Sequence, residues 1–477
     1  MELPQVDASA GLRRNTLGSA SVIFQAVSHL GPAIGIIVVA PAIASFVGAS
    51  VPLMVLISLG AMMLTGVCVS ELARRLPSAG GYYTFVTHGL GKRLGFFTAW
   101  AYFLYDPLLP TLTIMVSGGI LAEAFRANFG WNIPWWLIVV VLLGLVQWVT
   151  VSGIRPSARL TLVLGIVESL IITILAATLL LRHGTPANLA VPFAFPALTH
   201  GIQPLVLGFA FGVLLYTGFE SAAPLAEETR DPGRLIPRSV ILSIVVVGLI
   251  WTFASWGMMV GWGVGRASSI STAQNPFFTL AAHAWGVGWL LLAFALLNSS
   301  LGAALAGQNA GARVIFALGR SGVLPKAFGR IHPKTRTPVV ALTVQTLLNL
   351  VLSLGLGFWL GPIGGFTFIG LLVTLGVLIV YGFGNMAVLR LMRTRYPKEW
   401  RFWRHGVVPV AGALVLVLGF YFSVMPLPPW PLSLAVWVVG IWLLGGAVLS
   451  VVLGKSRSAD LEGAARLAFE EADELAQ

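Results

Sequence analysis

The chain has 477 residues, 57% of them hydrophobic and only 10% charged, with a formal net charge of +12. That balance excludes an ordinary soluble domain and indicates an all-α integral membrane protein crossing the bilayer many times. One cysteine, Cys68, excludes an intramolecular disulfide framework.

The opening MELPQVDASAGLRRN is polar and has no cleavable signal pattern, so residues 1–18 read as a tail before the first span. About 20 apolar residues are needed to cross roughly 30 Å of hydrocarbon. Twelve such spans follow, at about 20–46, 50–72, 94–121, 134–153, 160–182, 202–226, 237–261, 280–308, 338–358, 363–389, 407–425 and 430–453. With the N-terminus inside, 26 of the 29 Lys and Arg fall in inner connections and tails, leaving only Arg126, Arg182 and Arg266 outside. This positive-inside bias supports twelve spans, both termini cytoplasmic and a location in the cell (plasma) membrane. It also explains the basic excess as topology, which removes nucleic acid as a partner; the lipid bilayer is the expected surroundings.

Span one breaks its own pattern at GPAIG, Gly31–Gly35, one turn after His29. Proline removes a backbone donor and glycine costs about 1 kcal/mol against alanine in a helix. Span three carries Asp106 before Pro107 near its centre, and span five carries Glu168. Span six is interrupted by Thr217, Gly218, Phe219 and Glu220, with Tyr216 just before. Ionisable groups at membrane depth are rare and read as functional candidates. The two interruptions lie five spans apart, and an odd offset turns the second unit upside down relative to the first. That is the signature of an inverted repeat. The units are 19–200 (spans 1–5) and 201–392 (spans 6–10), followed by two extra spans in 405–453 and an acidic tail, 454–477.

Unwound backbone survives at membrane depth only where it lines a cavity or is buried in protein. Its N–H ends suit a carboxylate and its C=O ends suit an ammonium group or cation. Two kinked helices without a ligand are the plainer reading. Breaks at repeat-related positions favour a substrate site.

Three stretches resemble the amino acid–polyamine–organocation transporter superfamily. SELARRLPSAGGYYTFV (Ser70–Val86) is similar to the segment after its second helix. YTGFESAAPLAEETRDPGRLIPRSV (Tyr216–Val240) is similar to its sixth helix and the loop after it. AGQNAGARVIFALGRSGVLPKAFGRIHPKTRTPVVAL (Ala306–Leu342) resembles its eighth-to-ninth connection. The likeness covers roughly 18–450 and implies a LeuT-like five-plus-five fold with helices 1 and 6 broken. It further implies secondary active transport of an amino acid by alternating access, as symporter or antiporter, coupled to H⁺ or Na⁺ and without a bound cofactor. A polyamine or organic-amine carrier, or an amino acid exchanger, is the alternative, and either would be a monomer or homodimer. One departure is that the family's G-x-G-I-F run reads Ala33-Ile34-Gly35-Ile36-Ile37 here, after Pro32.

The candidate substrate site comprises His29, Gly31, Ala33, Ile34, Gly35, Asp106, Tyr216, Thr217, Gly218 and Phe219; His29 and Asp106 enter it as ionisable groups at membrane depth, with a structural role in the bundle as the alternative for each. The amides of Ala33, Ile34 and Gly35 would face a carboxylate, and Tyr216 or Phe219 would act as an aromatic gate. Glu220 resembles a family glutamate tied to proton or gate state. Glu168 takes the place of a fifth-helix lysine found in proton-coupled relatives. With Asn298, Ser299 and Ser300 it would form a proton-coupling or Na⁺ site; its alternative is structural pairing with His29 or Asn298. No other metal site is expected. A membrane enzyme lacks its convergent cluster here, with no H-E-x-x-H. A channel lacks a symmetric filter. A sensor sharing the fold would bind substrate without accumulating it.

Overall fold

The computed structural model describes residues 18–76, 80–153, 158–196, 201–273, 275–320, 325–335 and 337–456. The expected polar tails, up to residue 17 and from residue 457, lie outside these, as does Pro77. Among the described residues the regular structure is helical, with no β-strand. Lipid enforces this, because a helix satisfies its own backbone groups and an isolated strand does not.

Nine helices among the described residues are long and apolar enough to cross a membrane, and Trp135–Val151 is a shorter apolar helix. The 25 residues of Val51–Arg75 reach about 37 Å at 1.5 Å per residue, enough for the hydrocarbon and both its edges. The 56-residue helix Val339–Thr394 is not continuous. Gly361 leaves helical geometry (φ 73°, ψ 160°), and Pro362 follows it.

Burial separates inner helices from outer ones. The first helix, Ser19–Leu30, packs among Ala158–His183, Pro232–Trp262, Trp289–Arg320 and the 3-10 segment Phe219–Glu228. Pro232–Trp262 in turn lies along Val51–Arg75. The C-terminal helices are peripheral. On Leu432–Ser456 the side chains of Trp437, Ile441, Leu444 and Val448 are all exposed. Their steps of four, three and four residues make one apolar stripe, facing where acyl chains lie. The opposite side of this helix is fastened to the Lys92–Tyr102 helix by a reciprocal pair. Trp100 Nε1 donates to the Trp442 carbonyl at 2.8 Å, and Trp442 Nε1 donates to the Trp100 carbonyl at 3.0 Å. The two rings stack at 4.5 Å.

Candidate functional site

Three spans lose their helical ladder at the same place in the molecule. In the first, Ser19–Leu30 ends at Gly31, whose φ of 62° and ψ of 73° are left-handed. The chain re-enters a helix at Pro32–Ile34, continues through a π-helical turn, Gly35–Val39, and runs on as Ala40–Val47. In the third, Lys92–Tyr102 gives way to a single 3-10 turn, Asp106–Leu108, before Leu109–Phe129. In the sixth, Gln203–Leu215 stops at Tyr216, Gly218 takes φ 113°, and Phe219–Glu228 follows as a 3-10 helix. Glycine at 31 and 218 supplies backbone conformations that a side chain rarely adopts.

The breaks touch. A Cβ at Gly218 would lie 2.6 Å from His29 Cδ2, so the imidazole rests directly on the sixth-span backbone. On its other side His29 Nε2 stands 3.2 Å from Asp106 Oδ1. His29 thus joins breaks one, three and six. The hydroxyl of Tyr102 donates to the second oxygen of Asp106. Glu220 is within electrostatic range of both His29 and Asp106. All three are buried (His29 3%, Asp106 4%, Glu220 8% exposed), so a ligand reaches them only if helices move.

Each break exposes backbone donors that must find partners. Beyond Gly31, Pro32 has no N–H. The Ala33 amide bonds the Glu168 carboxylate. The Ile34 amide donates to Ser299 Oγ at 3.1 Å, and the Gly35 amide to the Gly31 carbonyl at 2.9 Å. Glu168, 2% exposed, also accepts from Asn298 Nδ2 at 2.6 Å and from Ser299 Oγ at 3.3 Å. Ser300 turns elsewhere, with its Oγ 2.6 Å from Ser117 Oγ. At the sixth-span break the Gly218 amide donates to Glu220 Oε2 at 3.1 Å, and the Tyr381 hydroxyl donates to the same oxygen at 2.7 Å. Thr217 Oγ1 caps the Leu214 carbonyl at 2.7 Å. The first and sixth spans are therefore each closed by a glutamate of this chain.

The sequence-predicted residues fall into two groups. His29, Asp106, Gly218 and Glu220 meet at one centre; Gly31, Ala33, Ile34, Glu168, Asn298 and Ser299 meet at a second, one turn away along the first span. Gly35 is set by close approach, since a Cβ there would stand 2.9 Å from Trp251 Cζ2. Tyr216 points away from both centres: its hydroxyl donates to the Val55 carbonyl at 3.1 Å, and its ring meets Trp251 edge-on at 5.2 Å. Phe219 packs against the Tyr381 ring at 5.4 Å.

Sequence reasoning passed over Tyr102, Trp251 and Tyr381. Trp251 Nε1 donates to the Pro32 carbonyl at 2.8 Å and so ties the first break to the Pro232–Trp262 helix. The available signal was a donor-bearing aromatic at mid-depth in an otherwise aliphatic run, since a buried Tyr or Trp needs a partner for its polar atom.

A second unforeseen cluster closes one end of Val51–Arg75. Glu71, 2% exposed, pairs with the guanidinium groups of Arg75 and Arg404, and His405 Nε2 lies 3.4 Å from it. Arg75 also reaches Glu399 Oε2 at 2.6 Å. Removing one partner of a buried pair strands the other charge, so Glu71→Gln is expected to cost about 3 kcal/mol or more. Glu399, about half exposed, is expected to cost under about 1 kcal/mol as Glu399→Gln. Thermal unfolding of the two purified variants in detergent checks the contrast.

Comparison with known proteins gives the family. The family described as "Amino acid permease" matches residues 15–452. The chain is 26% identical over 377 residues to the low-affinity putrescine importer PlaP of Escherichia coli K12, covering 77% of this chain and 79% of the importer. It is 22% identical over 431 residues to the branched-chain amino acid permease BcaP of Bacillus subtilis, covering 83% and 84%. It is 27% identical over 300 residues to the mouse Asc-type amino acid transporter 1, covering 60% and 54%. A match over this much of a multi-pass membrane chain shows that it belongs to the amino acid permeases of the amino acid–polyamine–organocation superfamily, which are transporters and not enzymes.

Proposed function

We infer that the chain is a secondary active transporter that carries an amino acid or amine across the membrane by alternating access, coupled to H⁺. The observation that carries this reading is the contact of broken spans one and six through His29 and Gly218. Taking Ala26–Arg75 and Val339–Thr394 as two crossings each, with Trp135–Val151 as another, brings the spans to twelve. The five-plus-five inverted repeat then contains both breaks, leaving Val408–Val424 and Leu432–Ser456 outside it. The distribution of Lys and Arg supports cytoplasmic termini and a plasma-membrane location. The relatives' own substrates, putrescine and branched-chain amino acids, support the substrate range.

Coupling follows from how the breaks are closed. Glu168 and Glu220 hold amide N–H groups of spans one and six as anions would. A proton arriving on either carboxylate removes the anion that those donors grip and frees the half-helix to tilt. Side-chain and backbone donors surround Glu168, a setting that supports H⁺ over Na⁺, because a cation wants oxygen acceptors around it.

Purified protein in proteoliposomes, given a pH gradient or a sodium gradient, is expected to accumulate labelled substrate only with the former. Glu168→Gln and Glu220→Gln are expected to lower gradient-driven uptake at least about tenfold while leaving exchange at equal pH measurable. Unchanged gradient-driven uptake in both variants removes the coupling assignment. Binding with no accumulation in the unmodified protein replaces the transporter with a sensor.

A further inference from the structure

Donors and acceptors at the breaks are unequally committed. In a broken-helix site the N–H ends are where a substrate carboxylate would be held. Here the donors of the first break are taken, and so is that of Gly218 at the sixth. Pro32 has none, the Ala33 amide serves Glu168, and the Ile34 amide serves Ser299 Oγ, which itself donates to Glu168. The Gly218 amide serves Glu220. The acceptors are in the opposite condition. Glu220 Oε1 is buried with no hydrogen-bond partner, and Asp106 Oδ1 faces His29 Nε2 at 3.2 Å without hydrogen-bond alignment. Both side chains are more than nine-tenths buried. Arg75, whose side chain is 6% exposed, is committed to Glu71 and Glu399 at the end of Val51–Arg75, and the basic group that faces Asp106 is His29.

We propose that the chain's own Glu168 carboxylate fills the place of a substrate carboxylate, so that the site selects amines that lack one. An ammonium group brings three donors and a positive charge to Glu220 Oε1, which has no hydrogen-bond partner, and to Asp106 Oδ1, whose neighbour His29 is not aligned to donate. An α-amino acid brings in addition a second anion, which finds the Ala33, Ile34 and Gly218 amides engaged and the Asp106 and Glu220 carboxylates close by. Burying a charge without a partner is strongly unfavourable. Ser299 has a positioning role, passing the Ile34 amide on to Glu168.

This inference rests on the transport reading, and one experiment separates the two. Purified full-length protein is titrated calorimetrically with pairs that differ only by a carboxylate: 1,5-diaminopentane with lysine, tyramine with tyrosine, 3-methylbutylamine with leucine. In at least one pair the amine is expected to bind tenfold or more tightly than its amino acid. Glu168→Ala, which frees the Ala33 amide and Ser299, is expected to narrow that ratio at least tenfold by strengthening the amino acid. Amino acids binding at least as tightly as their amines in every pair that binds overturn the selectivity and leave the transporter standing. The unmodified protein decides this even if Glu168→Ala does not fold. Binding of neither member of any pair overturns the transport reading and the selectivity with it.

Discussion

Gly218→Ala is expected to reduce uptake about a hundredfold and to lower the melting temperature. Two independent costs meet at this position. Its φ of 113° is a conformation in which a side chain is strained, typically by about 1–3 kcal/mol. The added methyl would also stand 2.6 Å from His29 Cδ2 and 3.2 Å from the His29 carbonyl carbon. Neither neighbour can yield, because the imidazole is held from its far side by Asp106 and the carbon belongs to the backbone of span one. A loss of roughly 3 kcal/mol in the competent arrangement corresponds to about a hundredfold in its population. Gly91→Ala is the control. Gly91 has φ 105° but nothing within 4 Å of the added carbon, so it meets only the backbone cost, about 1–2 kcal/mol, and is expected to keep uptake. Equal losses in the two variants would show that backbone strain alone is at work and that the meeting of spans one and six is incidental.

The His29–Asp106 pair has the second large effect. His29→Gln and Asp106→Asn each remove half of a contact whose members are almost wholly buried. Each is expected to cost about 2–4 kcal/mol in apparent stability, since the remaining group is left without its partner. The double variant is expected to cost less than the sum of the two, with a coupling of about 1–3 kcal/mol, the range found for groups in direct contact. Uptake is expected to stay lost in the double variant, because the proposed amine site loses Asp106 Oδ1 as an acceptor. Melting curves of the four proteins close the cycle. A coupling under about 0.5 kcal/mol would make the two residues neighbours without mutual dependence.

Where the spans break was legible in the sequence, but the wiring of the breaks was not. Gly31-Pro32 and Thr217-Gly218 stand out because helix-breaking or polar residues have no place in a lipid-facing run, and Asp106, Glu168 and Glu220 stand out because a charge at that depth needs a cause. The partners of those groups could not be read. Glu168 meets Asn298, 130 positions away, and Glu220 meets Tyr381, 161 positions away. No periodicity encodes such distances. Tyr381 and Trp251 also sit in apolar stretches where an aromatic is ordinary core or lipid-facing residue. Tyr216 shows the converse difficulty. It lies beside the break in sequence, yet a turn of backbone directs its hydroxyl to Val55 on the neighbouring helix. The Glu71 cluster was hidden for a further reason. Arg74, Arg75 and Arg404 counted towards topology, and a positive-inside tally says nothing about which arginine a buried acid will choose.

The Trp100–Trp442 pair has a consequence for how the protein is made. The two residues are 342 positions apart, so the third span is synthesised long before its fastening exists. Throughout that interval its indole N–H must find some temporary partner in the bilayer or in the insertion machinery. This contact is therefore completed only when the Leu432–Ser456 helix arrives and turns Trp442 inward. A ribosome that stops short of Leu432 releases a chain with the candidate site residues all present and the third span still unlatched.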